Sequence, residues 1–228
     1  ETRVVAAAED GTVSSFDRRS GARQWSISLD TSLSSSPGGN DEMIVIGGSE
    51  GEVIALNGAS GAEVWRNSLT SEILSAPGVA DNTVVVRTSD GHLYGLKRSD
   101  GEELWVFNQT EPVLTLRGTS APQIFSNGVV AGMDNGNLVV LLTDTGQRVW
   151  EVSVADSRGR TELERIVDID GDPVLYRDAV FAVSYQGNVG AVQLRSGEPV
   201  WRREMSSSAG LDVDDINVYI TDTESEVW

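Results

Sequence analysis

Apolar residues fall along the chain in short runs and never in long ones. "MIVIGG" at 43–48 and "VVVRTS" at 84–89 are β-branched runs of strand length, and each is followed, past a glycine, by a shorter alternating run such as "VIAL" at 53–56. Runs of this length and residue type, bounded by glycine, predict strands joined by tight turns. The punctuation is periodic. Windows 11–25, 51–65, 91–105, 136–150 and 187–201 align without gaps: each opens on glycine (Gly11, Gly51, Gly91, Gly136, Gly187), has a second glycine ten residues on (Gly21, Gly61, Gly101, Gly146, Gly197) and closes on tryptophan four later. Both glycines are expected at turn positions with positive φ. A proline recurs 14 residues before the opening glycine in the later units, at Pro37, Pro77, Pro122 and Pro173, where it marks the first residue of a strand. Four short strands per unit of about 40 residues is the arithmetic of a β-propeller blade. The expected fold is all-β, a β-propeller of four-stranded antiparallel blades, with about five blades present of a larger propeller and 1–228 read as a single propeller fragment.

The tryptophans at the window ends, Trp25, Trp65, Trp105, Trp150 and Trp201, are five of the chain's six. One blade cannot bury its own faces, so a large flat ring from each is expected to dock on its neighbour opposite a small residue. Six residues before each second glycine stand Ser15, Ala55, Gly95, Val140 and Ala191, four of them small. After Trp201 the repeat fades: Ser225 stands where an opening glycine is expected, and Trp228 is out of register.

Spacing between opening glycines is 40, 40, 45 and 51, and the additional length falls wholly between tryptophan and proline, within 106–121 and 151–172. That segment holds the end of the outer strand and the crossover to the next blade, so both insertions are expected to leave by one face, where propellers commonly house binding. The first carries Leu114, Leu116 and Arg117; the second carries Leu163, Arg165, Ile166, Asp168 and Asp170. Apolar side chains ringed by an arginine and acids suit a protein interface. The other reading, that the leucines cap the core while Arg117 pairs internally with Asp168 or Asp170, stays open beside it. "DIDGD" at 168–172 is not a calcium loop, because an EF-hand register from Asp168 meets Pro173 and Ala179 where glycine and glutamate are required.

Composition removes several function classes. With 35 acidic and 17 basic residues the net charge is −18, which repels nucleic acid and anionic membrane surfaces. There is no cysteine, and His92 is the only histidine, a turn residue by its place in "SDGHLYGL"; thiol chemistry and histidine-cluster metal sites are excluded. No apolar run approaches a membrane span. Glu102 with Glu103 and Asp214 with Asp215 are adjacent pairs that point apart, which does not suit a glycosidase. No catalytic residues, cofactor or metal are expected.

The windows resemble the pyrroloquinoline-quinone-type propeller repeat over nearly the whole chain. With "LTLRGTSAP" and "GRTELERIVDIDGDPV" added, the sequence resembles the BamB family of outer-membrane assembly lipoproteins, eight-bladed periplasmic propellers of the β-barrel assembly machine. The resemblance implies a noncatalytic scaffold that docks on the periplasmic domains of the central barrel subunit, BamA, through Leu114, Leu116, Arg117, Asp168 and Asp170, with Leu163, Arg165 and Ile166 as secondary contacts. It implies a lipid anchor at the periplasmic face of the outer membrane, the anchor lying outside this chain, which then reads as a trimmed piece. Unfolded outer-membrane protein clients are a second class of partner that it suggests, and direct contact with them stays open. The alternative is a fragment of a pyrroloquinoline-quinone-dependent dehydrogenase, whose adjacent cysteine pair this sequence lacks.

Overall fold

A computed structural model of the chain describes residues 2–108, 119–155 and 167–228. Among them every regular element is a strand, and the contacts divide the chain into two units, Glu1–Phe107 and Asn108–Trp228. In the first unit β1 (Arg3–Ala7), β2 (Thr12–Asp17) and β3 (Arg23–Ser28) make a three-stranded antiparallel sheet. Two four-stranded sheets follow: β4 (Gly38–Gly39), β5 (Met43–Gly47), β6 (Glu52–Asn57) and β7 (Glu63–Ser68); then β8 (Gly78–Val79), β9 (Thr83–Arg87), β10 (Leu93–Lys97) and β11 (Glu103–Phe107). The second unit holds β12 (Gln123–Phe125), β13 (Gly128–Gly132), β14 (Asn137–Leu142) and β15 (Arg148–Ser153), and then β16 (Val174–Tyr176), β17 (Ala179–Val183), β18 (Asn188–Gln193) and β19 (Pro199–Glu204). A pair, β20 (Leu211–Val213) and β21 (Val218–Ile220), ends the chain. Each four-stranded sheet is a meander in chain order, the form of a propeller blade, and the strand after each of the four prolines begins at the next residue.

Burial grades across a blade. The second strands β5, β9 and β13 are buried at every residue, while the outer strands expose all but the tryptophan side. The cores lie between sheets. In the first unit Val45, Val53 and Ala55 pack with Val84, Val86 and Leu96; in the second Val130, Leu138 and Val140 pack with Val180, Ala182 and Val192.

The tryptophan register is carried by local geometry repeated five times. Trp25, Trp65, Trp105, Trp150 and Trp201 pair directly across the ladder with Ser15, Ala55, Gly95, Val140 and Ala191, and in each sheet a bulge follows immediately. The bulge admits one more residue and turns the strand, which re-aims the ring towards the following blade. There the ring covers the second glycine: a Cβ on Gly61 would lie 2.7 Å from Trp25, on Gly101 2.5 Å from Trp65, and on Gly197 2.8 Å from Trp150. The indole N–H then donates to the carbonyl three residues before that glycine, Gly58 (3.1 Å), Arg98 (2.8 Å) or Leu194 (2.9 Å). At these three positions glycine is therefore required twice over, by a φ of 71–76° that closes the turn and by the ring lying on it. Val140 is the one large residue opposite a tryptophan, and it is buried in the second unit's core.

The opening glycines behave alike with one exception. Gly11, Gly51, Gly91 and Gly136 take φ of 75–87°, but in the fifth window the left-handed residue is Gln186 (φ 49°), not Gly187 as the register predicts. Gly187 is needed for room instead, since a Cβ there would sit 2.2 Å from Ser184 Oγ and 2.5 Å from Ala155 Cβ. Ser225 does take the expected glycine's conformation, at φ 66°, with its N–H on the Asp222 carbonyl at 3.1 Å.

Candidate docking face

The crossovers between blades run over the turn that joins each second strand to its third. In the first unit a Cβ on Gly51 would meet the carbonyl oxygens of Leu69 (2.6 Å) and Ser71 (3.0 Å), and Gly11 meets those of Leu29 and Thr31 in the same way, so two carbonyls one residue apart straddle the turn glycine. At Gly136 the straddling carbonyls belong to Ala155 (3.3 Å) and Val167 (2.9 Å). Ala155 and Val167, the described residues on either side of 156–166, thus both rest on the β13–β14 turn.

After Val167 the crossover resumes its ordinary course. Ile169 fills a recess opposite Gly132, where a Cβ would come within 2.4 Å of it, as Ile73 fills the recess at Gly47, also at 2.4 Å. Ile169 N–H reaches the Met133 carbonyl at 3.4 Å and Ile73 N–H the Gly48 carbonyl at 3.3 Å. Asp168 holds the place of Glu72: its carbonyl accepts from Tyr185 N–H at 2.9 Å, as that of Glu72 accepts from Ser89 N–H at 2.8 Å. Sequence reasoning missed Gly47 and Gly132 as sockets, though each closes an apolar run ("IVIG", "VVAG") four or more residues from the turn, and it missed Tyr185 altogether.

The site residues expected from the sequence divide in two. Leu114, Leu116, Arg117, Leu163, Arg165 and Ile166 lie outside the described residues. Asp168 and Asp170 lie inside, two apart on the crossover that leads to β16, with Asp168 1% exposed and Asp170 half-buried. A carboxylate that is buried this deeply is retained only where polar or charged groups compensate its desolvation. Asp172, next along, accepts the Ala121 N–H at 2.6 Å; crowding by the surrounding chain pushes its carboxyl above the usual carboxylate range, and that hydrogen bond offsets part of the rise. Gly171 and Gly210 approach backbone to backbone, a Cβ on Gly171 falling 2.3 Å from the Gly210 Cα.

In the first unit the corresponding face is pinned by side chains. Thr70 Oγ1 donates to Asp90 at 2.6 Å, Tyr94 OH lies 2.9 Å from Thr70 Oγ1, Ser71 and Ser89 hydroxyls meet at 2.7 Å, and Thr88 Oγ1 also donates to Asp90. The His92 ring nitrogen Nδ1 stands 3.0 Å from the Asp90 carboxylate. Burial pushes the Asp90 carboxyl up, but the Thr70 and Thr88 hydroxyls and His92 outweigh it and hold it below the usual range. Among the described residues no three of His, Cys, Asp or Glu are arranged to hold a metal ion. The described residues of the face offer polar and charged contact.

The family described as "Outer membrane protein assembly factor BamB" matches residues 9–228, nearly the full length. The chain belongs to the BamB family. Among curated members, BamB of Alkalilimnicola ehrlichii is 42% identical over 117 residues, which are 51% of this chain and 30% of that protein; the chain spans about 30% of the length of the curated relatives it matches. The crystal structure of BamB from Moraxella catarrhalis superposes with a TM-score of 0.93 at 27% identity, covering 99% of this chain and 69% of that one. A quinohemoprotein alcohol dehydrogenase from Pseudomonas putida HK5 superposes with a TM-score of 0.70 at 15% identity over 90% of this chain and 40% of its own, a likeness of fold alone. BamB membership accounts for the all-β blades and for the quinone-type repeat.

Proposed function

We propose that this chain is part of a noncatalytic scaffold subunit of the outer-membrane β-barrel assembly machinery, in which it supplies about five blades of a larger propeller and docks through its insertion-bearing face on the periplasmic domains of BamA. The family match over residues 9–228 carries the reading. Leu114 and Leu116 serve as apolar anchors, and Arg117 with Asp168 and Asp170 orients the partner by charge, with Leu163, Arg165 and Ile166 adding contacts at the rim. The seating of Ala155 and Val167 on Gly136, with Asp168 buried next along, supports an insertion carried on a blade. The setting is the periplasmic face of the outer membrane, where the full-length protein is lipid-anchored, and unfolded outer-membrane clients are a second class of partner.

Calorimetric titration of this chain with the BamA periplasmic domains, run beside Arg117→Glu in matched salt, tests the reading. Saturable binding that the variant lowers at least a hundredfold, with its circular dichroism unchanged, is the expected result. A folded wild-type chain that does not bind refutes it, and a variant that loses its β spectrum assigns Arg117 to internal pairing.

A further inference from the structure

Every blade ends in an outer strand whose far edge has no partner among the described residues, and the five strands differ on their exposed side. In each, the residues just before and just after the tryptophan are less buried than its ring. They read Gln24 and Ser26 in β3, Val64 and Arg66 in β7, Val149 and Glu151 in β15, and Val200 and Arg202 in β19. The second member is polar or charged in all four, and the charged ones are engaged: Arg66 pairs with Glu63 at 3.0 Å, Glu151 with Arg148, and Arg202 donates to the Val154 carbonyl at 3.3 Å. Charges on an edge strand are a standard guard against unwanted pairing. In β11 the pair is Leu104 and Val106, 45% and 40% exposed, with no charge between Trp105 and the strand's end.

We propose that the free edge of β11 is a strand-addition site for an extended segment of another protein, one with alternating apolar residues and a lysine or arginine at the end that meets Glu102 and Glu103. The edge supplies backbone N–H and C=O groups on either side of the bulge at Leu104, Leu104 and Val106 supply exposed apolar side chains, and the two glutamates at the strand's start supply direction. A second copy of the chain is the disfavoured occupant, because each carries a net charge of −18 and the same two acids would face each other or an uncharged edge. The inference goes beyond the docking reading and does not depend on which residues of 109–118 or 156–166 make contact there.

The probe is a fluorescein-labelled peptide, Lys-Val-Thr-Val-Thr-Val-Lys, with an analogue N-methylated at alternate backbone nitrogens, which keeps the side chains but blocks ladder formation. The measurements are anisotropy and amide hydrogen exchange on the whole chain. Expected are slowed exchange confined to β11 when the peptide is present, at least tenfold weaker binding for Val106→Lys, unchanged binding for Val64→Lys on β7, and no binding of the methylated analogue. Exchange on β11 unaffected by the peptide, or equal binding of the methylated analogue, overturns the proposal. So does a concentration-dependent dimer of the chain that Val106→Lys abolishes, which would give the edge to a second copy. Exchange on the wild-type chain decides the matter even if Val106→Lys fails to fold.

Discussion

Two crossovers of the same design do different things. That at 69–77 passes over Gly51, is fixed by Thr70 and Ser71 to the next blade's Asp90 and Ser89, and plugs Ile73 into the recess at Gly47. That at 155–173 passes over Gly136, opens into 156–166, and plugs Ile169 into the recess at Gly132. The plug is common to both, and the Asp90 cluster is not: the places of Asp90 and Tyr94 are taken by Gln186 and Gly190, and Gln186 turns its N–H to Ser206 Oγ at 2.9 Å. Backbone fit and apolar plugging thus serve both crossovers and tolerate an insertion beside them, whereas the hydroxyl pins on Asp90 belong to the uninserted one.

The sharpest way to break that comparison is to fill both sockets. Gly47→Val and Gly132→Val each put carbon where Ile73 or Ile169 already lies 2.4 Å from an ideal Cβ. Overpacking a rigid core usually costs about 1–3 kcal/mol, and β-branched bulk against a fully buried isoleucine belongs at or above the top of that range. Both variants are expected to lose on the order of 3 kcal/mol or more in urea unfolding, and by similar amounts. A loss at Gly47 alone would mean that the inserted crossover is held by something other than its plug.

Next in size is removal of the excursion. Replacing 156–166 by one threonine restores the spacing of Leu69, Thr70 and Ser71 over the turn glycine. Shortening a loop this much lowers its closure entropy by up to about 2 kcal/mol, so the melting temperature is expected to hold or rise while BamA binding weakens. A fall in melting temperature would place stabilising contacts within 156–166 and return the segment to the internal-pairing reading.

How much of this was legible beforehand follows from which residues carry two constraints at once. Gly61, Gly101 and Gly197 must be glycine for φ and for the ring above them, so the sequence can vary neither, and the repeat stands out. Proline at a strand's first residue is fixed for a similar reason. At Gly187 only room is demanded, and the left-handed conformation passed to Gln186 without any trace in the pattern. Asp168 and Asp170 look like two members of one acidic run, yet one is buried and the other half-buried, because Asp168 stands between the buried Val167 and Ile169 and Asp170 lies beyond them. Burial of that kind depends on the neighbouring blade, which a repeat unit read alone does not contain. The pins at Asp90 were hidden for the same reason: Thr70 and Asp90 are neighbours only across a blade boundary.

The smallest effect tests those pins. Asp90→Asn keeps size and an acceptor but removes the charge that Thr70, Thr88 and His92 stabilise. Because the folded carboxyl is held below its unfolded value of 3.8, its contribution is fully present above that pH and is lost as pH falls through the lower folded value. Hydrogen bonds to a charged group are worth more than neutral ones, but Asp90 keeps a solvent-facing side, which leaves about 1 kcal/mol after screening. The variant is therefore expected to melt lower than wild type at pH 7 and to converge with it as the pH falls below 3.8, and hydrogen exchange at Ser89 N–H, which binds the Glu72 carbonyl, is expected to quicken only at the higher pH. No corresponding change should occur at Tyr185 N–H on the Asp168 carbonyl, where Gln186 stands in the place of Asp90. Equal quickening at both amides would show that Asp90 supports the whole face rather than one crossover, and the distinction between a pinned connector and a plugged, inserted one would fail.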